Sequence, residues 1–229
     1  MTPWRANGKA DAMVKRTLAT TKIRDEVAAL KRERTLAAAV DLFYEHGYDN
    51  TTLDEVADRL GMTKPFIYAN FGSKTQLLAE ICLRGVQAAA DALDGALARR
   101  KGPRDSLEAF GRDYVSAVLG SQKFIAIYVR EEKNLEPDDA LRIGALRRDF
   151  FNRIAKLLQK GVASGDFQVN DVQLAALAIG GAVTWSTFWY RPAGRLPIEA
   201  IAQTMTGLIL TLVGATAEAE PRSARSRAR

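Results

Sequence analysis

Thr52-Leu-Asp-Glu-Val-Ala-Asp-Arg-Leu-Gly-Met-Thr-Lys-Pro-Phe-Ile-Tyr-Ala-Asn-Phe71 reads as two short amphipathic segments hinged on a glycine. Thr52-Leu-Asp-Glu55 has the form of a capping box, in which a threonine hydroxyl and a glutamate three residues on satisfy each other's backbone donors. Val56, Ala57 and Leu60 then share one helical face. Gly61 interrupts the pattern. Thr63 stands where a second helix needs its cap, and Pro65 falls in that helix's first turn, where a missing N–H is harmless. Two short helices around a glycine-containing turn predict a helix-turn-helix. The inward positions are apolar (Leu53, Val56, Ala57, Leu60, Met62, Ile67, Phe71), and the second helix offers Lys64, Pro65, Tyr68, Ala69 and Asn70 outward. Short side chains with a few donors suit entry into a major groove. Spacing alone leaves unrelated helical hairpins open.

The flanks continue in the same texture. Upstream, Val27, Leu30, Leu36, Val40 and Phe43 recur at helical spacing and predict a helix over 23–47, stopped at Gly47. Downstream, Ser73-Lys-Thr-Gln76 is a second capping box opening a long helix to about Arg99. Further breaks predict helices near 105–119, 122–133, 138–163, 171–190 and 198–213, about nine helices in all. No stretch alternates as a strand must, so the expected fold class is all-α. Residues 172–190 carry no charge and are long enough to span a bilayer, but they include Gln173, Thr184, Ser186 and Thr187 and are rich in small residues. A helix buried in protein at a subunit interface is the expectation there, with no membrane partner.

Charge is uneven along the 229 residues. Residues 1–24 hold six Lys/Arg against Asp11, and residues 215–229 hold four Arg against two Glu, whereas the body between is nearly neutral in a chain of net charge +6. Basic ends on a neutral globule suit a polyanion such as DNA, and they equally suit solubilising tails. One cysteine (Cys82) and one histidine (His46) exclude a disulfide framework and multi-ligand Cys/His metal sites, so no metal is expected. There is no G-x-G-x-x-G, no Walker loop and no G-x-S-x-G, so no cofactor is expected and an enzyme is not. A polar, basic start without an apolar segment points to the cytoplasm.

Residues 32–83 carry a more specific signal. Phe43-Tyr-Glu-His-Gly-Tyr-Asp-Asn-Thr-Thr-Leu53, followed by Gly61-Met-Thr-Lys-Pro-Phe-Ile-Tyr-Ala-Asn-Phe-Gly-Ser-Lys-Thr-Gln-Leu-Leu78, resembles the DNA-binding domain of TetR-family regulators, with the Tyr68…Phe71-Gly-Ser-Lys74 ending most specific. The resemblance implies a three-helix DNA-binding domain followed by a helical ligand-binding and dimerisation domain. It implies a homodimer that binds double-stranded operator DNA and is released by a small-molecule effector. By the same resemblance Thr51 and Thr52 cap the first short helix and touch phosphate, Thr63 and Lys64 open the recognition helix, and Tyr68 and Lys74 bind phosphate. Pro65, Ala69 and Asn70 fall at positions that vary with the operator. His46 precedes the helix-ending Gly47, a structural place, and Cys82 reads as a small core residue.

The expected organisation is a basic arm at 1–29, the DNA-binding domain at 30–90 with its motif at 54–73, the ligand and dimer domain at 91–214, and an Arg-rich disordered tail at 215–229. In the second half, Tyr114, Phe124, Tyr128, Phe151, Trp185 and Phe188 are expected to line an apolar pocket, with Arg147 and Arg191 at its mouth beside Arg130 and Arg148. Trp189-Tyr-Arg-Pro-Ala-Gly-Arg195 resembles a segment of TetR-family regulators of lipid and steroid-ring degradation that answer to acyl-CoA thioesters. An acyl-CoA effector is therefore favoured, against a drug-like effector of an efflux regulator or, in a different class, a helical adaptor that binds no DNA. Ala178, Gly181, Ile201, Met205, Leu208 and Leu212 are the expected dimer contacts.

Overall fold

A computed structural model describes the backbone of residues 7–99 and 102–215, with the side chains of 7–21 and of Ile23 left aside. The described residues form nine α-helices and no strand. The chain divides into two compact units, 1–77 and 78–229. The boundary therefore falls in the first turn of the helix Lys74–Ala98, earlier than the expected residue 90. Residues 1–6 of the expected arm and 216–229 of the expected tail lie outside the described residues.

In the first unit, α1 (Asn7–His46) is 40 residues long. The apolar stripe predicts only its second half, because burial begins there: Thr35, Leu36, Ala39, Val40 and Phe43 are buried, while every described side chain before Arg32 is exposed. Residues 7–29 of the expected basic arm are helical. This stretch has no Pro and is rich in Ala, Lys and Arg, all favourable to helix without any packing. His46 ends α1, its carbonyl accepting from Asn50 Nδ2 at 3.1 Å.

The next helices are α2 (Leu53–Leu60) and α3 (Lys64–Phe71). The capping box forms as expected: the Thr52 backbone N–H donates to Glu55 Oε2 at 2.6 Å, and Glu55 N–H donates to Thr52 Oγ1 at 3.2 Å. Gly61 ends α2 at φ +60°, a left-handed conformation that favours glycine, and so turns the chain into α3. Thr63 occupies the N-cap position of α3 in extended conformation, but its hydroxyl makes no capping bond. Ser73 and Gln76 exchange backbone-to-side-chain bonds at the start of α4 (Lys74–Ala98). Thr52→Ala is expected to lower stability by about 1 kcal/mol. A urea-unfolding midpoint that does not move would deny the cap that role.

The second unit holds α5 (Pro103–Gly120), α6 (Gln122–Glu131), a 3-10 turn (Glu132–Asn134), α7 (Pro137–Ser164), α8 (Val172–Trp189) and α9 (Ile198–Leu212). The middle helix is α5, packing against α6, α7, α8 and α9. Phe110 and Tyr114, one turn apart on it, stack with ring centroids 5.1 Å apart, and Phe150 of α7 meets both at 6.0 and 5.3 Å. Phe167, buried in the α7–α8 connection, lies over Gly161, where a Cβ would come within 2.0 Å of its ring. By length and composition α8 could cross a membrane. Its Ala175, Ala176, Ile179, Gly180 and Val183 are instead buried on neighbouring helices.

Candidate functional site

The outward face of α3 combines what the spacing of its residues predicts with two qualifications. Lys64, Pro65 and Ala69 are exposed, and Tyr68 is half-exposed with its ring free of the core. Lys64 Nζ sits 2.5 Å from Asp54 Oδ2 of α2, and that hydrogen bond holds its ammonium above the ordinary lysine pKa. A phosphate arriving here competes with Asp54. Asn70 is partly buried and its Nδ2 donates to the Phe66 carbonyl at 2.8 Å, so its amide must leave its own helix to meet a base. The carbonyl of Asn70 accepts from Arg32 Nη1, and the Arg32 guanidinium lies 4.4 Å from the Phe71 ring centroid, which clamps the end of α3 to α1.

Lys74 is held in place from behind. Its Nζ lies 4.2 Å from the Tyr48 ring centroid and donates to the Asp49 carbonyl at 3.4 Å. Thr51 departs from the expectation of a phosphate contact. Its side chain is fully buried, and its hydroxyl donates to the Gly47 carbonyl at 2.9 Å. It fixes the turn that presents Thr52, and only Thr52 of that pair is at the surface.

The second unit contains a cavity of about 590 Å³ among α4, α5, α6, α7 and α8. Its floor is buried and apolar (Val86, Ala89, Val118, Ile125, Phe150), with Tyr114 and Tyr128 as the polar exceptions. Its rim is exposed and polar (Arg147, Arg148, Asn152, Gln173). Arg147 pairs with Glu132 at 3.2 Å and lies 5.9 Å from the Tyr128 ring centroid, whereas Arg148 has no ion-pair partner among the described residues. Burial pushes the phenols of Tyr114 and Tyr128 and the thiol of Cys82 up to about 12, so all three keep their protons at neutral pH. Cys82 is a buried core residue.

Of the expected pocket residues, Tyr114, Tyr128, Phe151 and Arg147 line this cavity. Phe124, Trp185, Phe188 and Arg191 do not. Leu177, Gly180, Gly181 and Thr184 of α8 line the cavity, while Trp185 and Phe188, nearer the C-terminal end of that helix, stay outside it as an exposed pair with ring centroids 4.9 Å apart. Arg191 instead caps α8, donating to the Phe188 and Tyr190 carbonyls at 3.1 and 3.0 Å. The lining that sequence reasoning missed includes the α4 wall, with Gly85, Val86 and Ala89, as well as Val118, Ile125 and Phe150, and Leu177, Gly180 and Thr184 of α8. Gly85 was a legible hint, since a small residue inside a helix allows a close neighbour. A Cβ there would stand 3.3 Å from Ile125 Cδ1.

A third surface is apolar and open. Leu174, Leu177, Trp185, Phe188 and Trp189 on α8 and Leu208 and Leu212 on α9 are exposed. Of the expected dimer contacts, Ala178, Gly181, Leu208 and Leu212 are at the surface and Met205 is half-buried. Gly181 also lines the cavity. Ile201 is buried within its own subunit, on the core-facing side of α9, which corrects its assignment to an interface.

Residues 36–81 match the family described as bacterial regulatory proteins, tetR family, and residues 100–213 match the tetracyclin repressor-like C-terminal domain. The chain is 30% identical over 186 residues to the HTH-type transcriptional repressor KstR2 of Rhodococcus jostii, covering 79% of this chain and 89% of that protein. Among solved structures it resembles the TetR-family regulator PfmR of Thermus thermophilus (31% identity, TM-score 0.73, 78% of this chain and 97% of that one). It also resembles AibR in complex with isovaleryl coenzyme A and operator DNA (25% identity, TM-score 0.70, 81% of this chain and 99% of that one).

Proposed function

Because this chain belongs to the TetR family of DNA-binding transcriptional regulators, and is a regulator rather than an enzyme, we propose that it is a homodimeric repressor released from a two-fold operator by an acyl-CoA thioester. The observation that carries the effector reading is the cavity: an apolar floor for an acyl group, and at the rim Arg147 beside Arg148, which has no ion-pair partner among the described residues, for the phosphates of the CoA portion. Its volume suits the acyl part of such a ligand, leaving the nucleotide end at the rim. The AibR complex with isovaleryl coenzyme A supports the same chemistry in a relative of this fold.

Titration calorimetry with matched free acids and CoA thioesters tests the reading. The thioester should bind more tightly, and Arg148→Ala should weaken it by about tenfold while leaving the free acid unaffected, as expected for one charge-assisted hydrogen bond at a partly solvated rim. Tight binding of neutral or cationic drug-like compounds, indifferent to CoA, overturns it in favour of an efflux-type regulator.

The exposed stripe on α8 and α9 is wider than the scattered leucines of an ordinary surface, and a symmetry mate would cover it as a four-helix bundle. Two-fold symmetry then sets the α3 helices into successive major grooves about 34 Å apart. Coupling runs through α4, which starts at Lys74 in the first unit and lines the cavity with Gly85, Val86 and Ala89 in the second. An effector that favours a wider spacing of the two α3 helices by about 2.7 kcal/mol lowers operator affinity about a hundredfold.

A further inference from the structure

The surface formed by α2 and α3 is less basic than attraction to a polyanion alone would ask. The two helices carry three carboxylates (Asp54, Glu55, Asp58) against two cations, Arg59 and Lys64. Arg59 reaches back to Glu45 of α1 at 3.8 Å, and Glu55 is committed to the Thr52 cap. Lys64, the one cation of α3, meets Asp54 of α2, with Nζ 2.5 Å from Oδ2. Both members of that pair are about half exposed, at the surface where α3 begins. The frame beneath them is clamped: Arg32 of α1 holds the far end of α3 through the Asn70 carbonyl and the Phe71 ring, and Lys31 lies 5.6 Å from the Phe66 ring centroid. The result is a charged donor and a charged acceptor at a set spacing. An exposed ion pair of this kind adds little to stability. Its carboxylate also repels phosphate, which lowers sequence-independent affinity for DNA.

We propose that Asp54 and Lys64 act as one unit that reads a G·C base pair in the major groove, with Asp54 as the specificity-determining residue. In that groove guanine offers O6 and N7 as acceptors, and the paired cytosine offers an outward N4–H. Guanine O6 and cytosine N4 are joined by a hydrogen bond of about 2.9 Å, a spacing close to that of Nζ and Oδ2. The Lys64 ammonium has three protons, of which one stays on Asp54 and another serves O6 or N7. The Asp54 carboxylate keeps acceptor capacity for N4–H, so the pair stays intact while it reads. An A·T pair also sets an acceptor beside a donor, but the thymine methyl flanks that acceptor. A phosphate offers acceptors only, so it satisfies Lys64 and leaves Asp54 facing like charge. Specificity then draws on a repulsive element as well as an attractive one. The bond to Asp54, with Asp58 adding to the same field, holds the Lys64 ammonium above its ordinary pKa, so it is fully charged at neutral pH.

Asp54 can read DNA only if α3 is the DNA-contacting face, and the two claims fail differently. Duplexes bound by the full-length protein are selected from a random-sequence pool and sequenced. Affinities for the selected duplex and for a random-sequence duplex are then titrated against salt. The wild-type selection should fix one G·C pair in each half-site that both Asp54→Ala and Lys64→Ala release. Asp54→Ala frees Lys64 for phosphate, so its binding to the random-sequence duplex should strengthen, with a salt slope steeper by about one. Its discrimination between G·C and A·T at the fixed position should fall by about tenfold, the worth of one base-edge contact. Lys64→Ala should lose the same discrimination while weakening random-sequence binding. Both side chains are at the surface and outside the Thr52–Glu55 cap, so thermal melts should match wild type. A G·C preference that persists in Asp54→Ala, or an unchanged random-sequence affinity and slope, overturns the reader and leaves α3 as the DNA face. Equal weakening of both duplexes by Asp54→Ala overturns it too, since Asp54 would then only support its helix. DNA binding indifferent to both substitutions and to Tyr68→Ala overturns α3 as the DNA-contacting face as well.

Discussion

Phe110→Ala is expected to destabilise the second unit by about 3–5 kcal/mol, the usual range for removing a buried aromatic from a packed core. Phe110 is fully buried on α5, which packs against four other helices, and its ring stacks on Tyr114 and tilts against Phe150. Its loss opens a void between α5 and α7 that the surrounding helices can only partly close. Set against a typical domain stability of roughly 5–15 kcal/mol, that is a large share. Urea unfolding followed by tryptophan fluorescence reads it directly, because Trp185 and Trp189 both lie in the second unit. Phe110→Leu, which keeps most of the volume, should lose about 1 kcal/mol. An unchanged midpoint for Phe110→Ala would mean that the aromatic floor does not hold α5 in place.

The parts of the fold that were legible in the sequence are those written in a few consecutive residues. Thr52 and Glu55, Gly61, and Ser73 with Gln76 each state a helix end by local hydrogen bonding or backbone conformation, and each does so in the structure. The helix ends at Pro103, Gly120, Pro137 and Ser164 follow from Gly, Pro and Ser breaks in the same way. What was not legible depends on contacts far apart in the chain. The described side chains of α1 before Arg32 are all exposed, so periodicity says little where helix propensity acts without burial. How far along α8 the cavity extends is set by the packing of α5, α6 and α7, and only that packing decides that Thr184 lines the cavity while Trp185 and Phe188 do not. An uncharged run such as 172–190 does not mark where that wall ends. For α9, Ile201 and Leu208 both belong to one apolar pattern, yet the first is buried in the subunit and the second is open. Thr51 and Thr52 are chemically identical neighbours, and the extended chain before α2 points one inward and one outward.

Tyr68→Ala and Lys74→Ala together are expected to lower operator affinity by at least tenfold at moderate salt, and their separate effects should differ in kind. Tyr68 is exposed on the outward face of α3, so its loss should cost about 1–3 kcal/mol if it reads a base. Lys74 is fixed by the Tyr48 ring and the Asp49 carbonyl at the start of α4, a rigid place from which an ammonium can meet one phosphate. Its loss should weaken binding across all sequences and reduce the slope of log affinity against log salt by about one. Tyr68→Phe separates the hydroxyl from the ring. Neither residue supports the core, so the variants should fold, and circular dichroism melts within a few degrees of wild type check this. The helical start of α1 enters the same measurement. Arg32 ties α1 to the end of α3, and the residues before it carry an excess of Lys and Arg with no described side chain buried. Deleting residues 1–21 should therefore reduce the salt slope further without changing which sequences are preferred. Operator affinity that is unchanged in the double variant would remove α3 and the start of α4 as the DNA-contacting surface, and with it the two-fold reading of the operator.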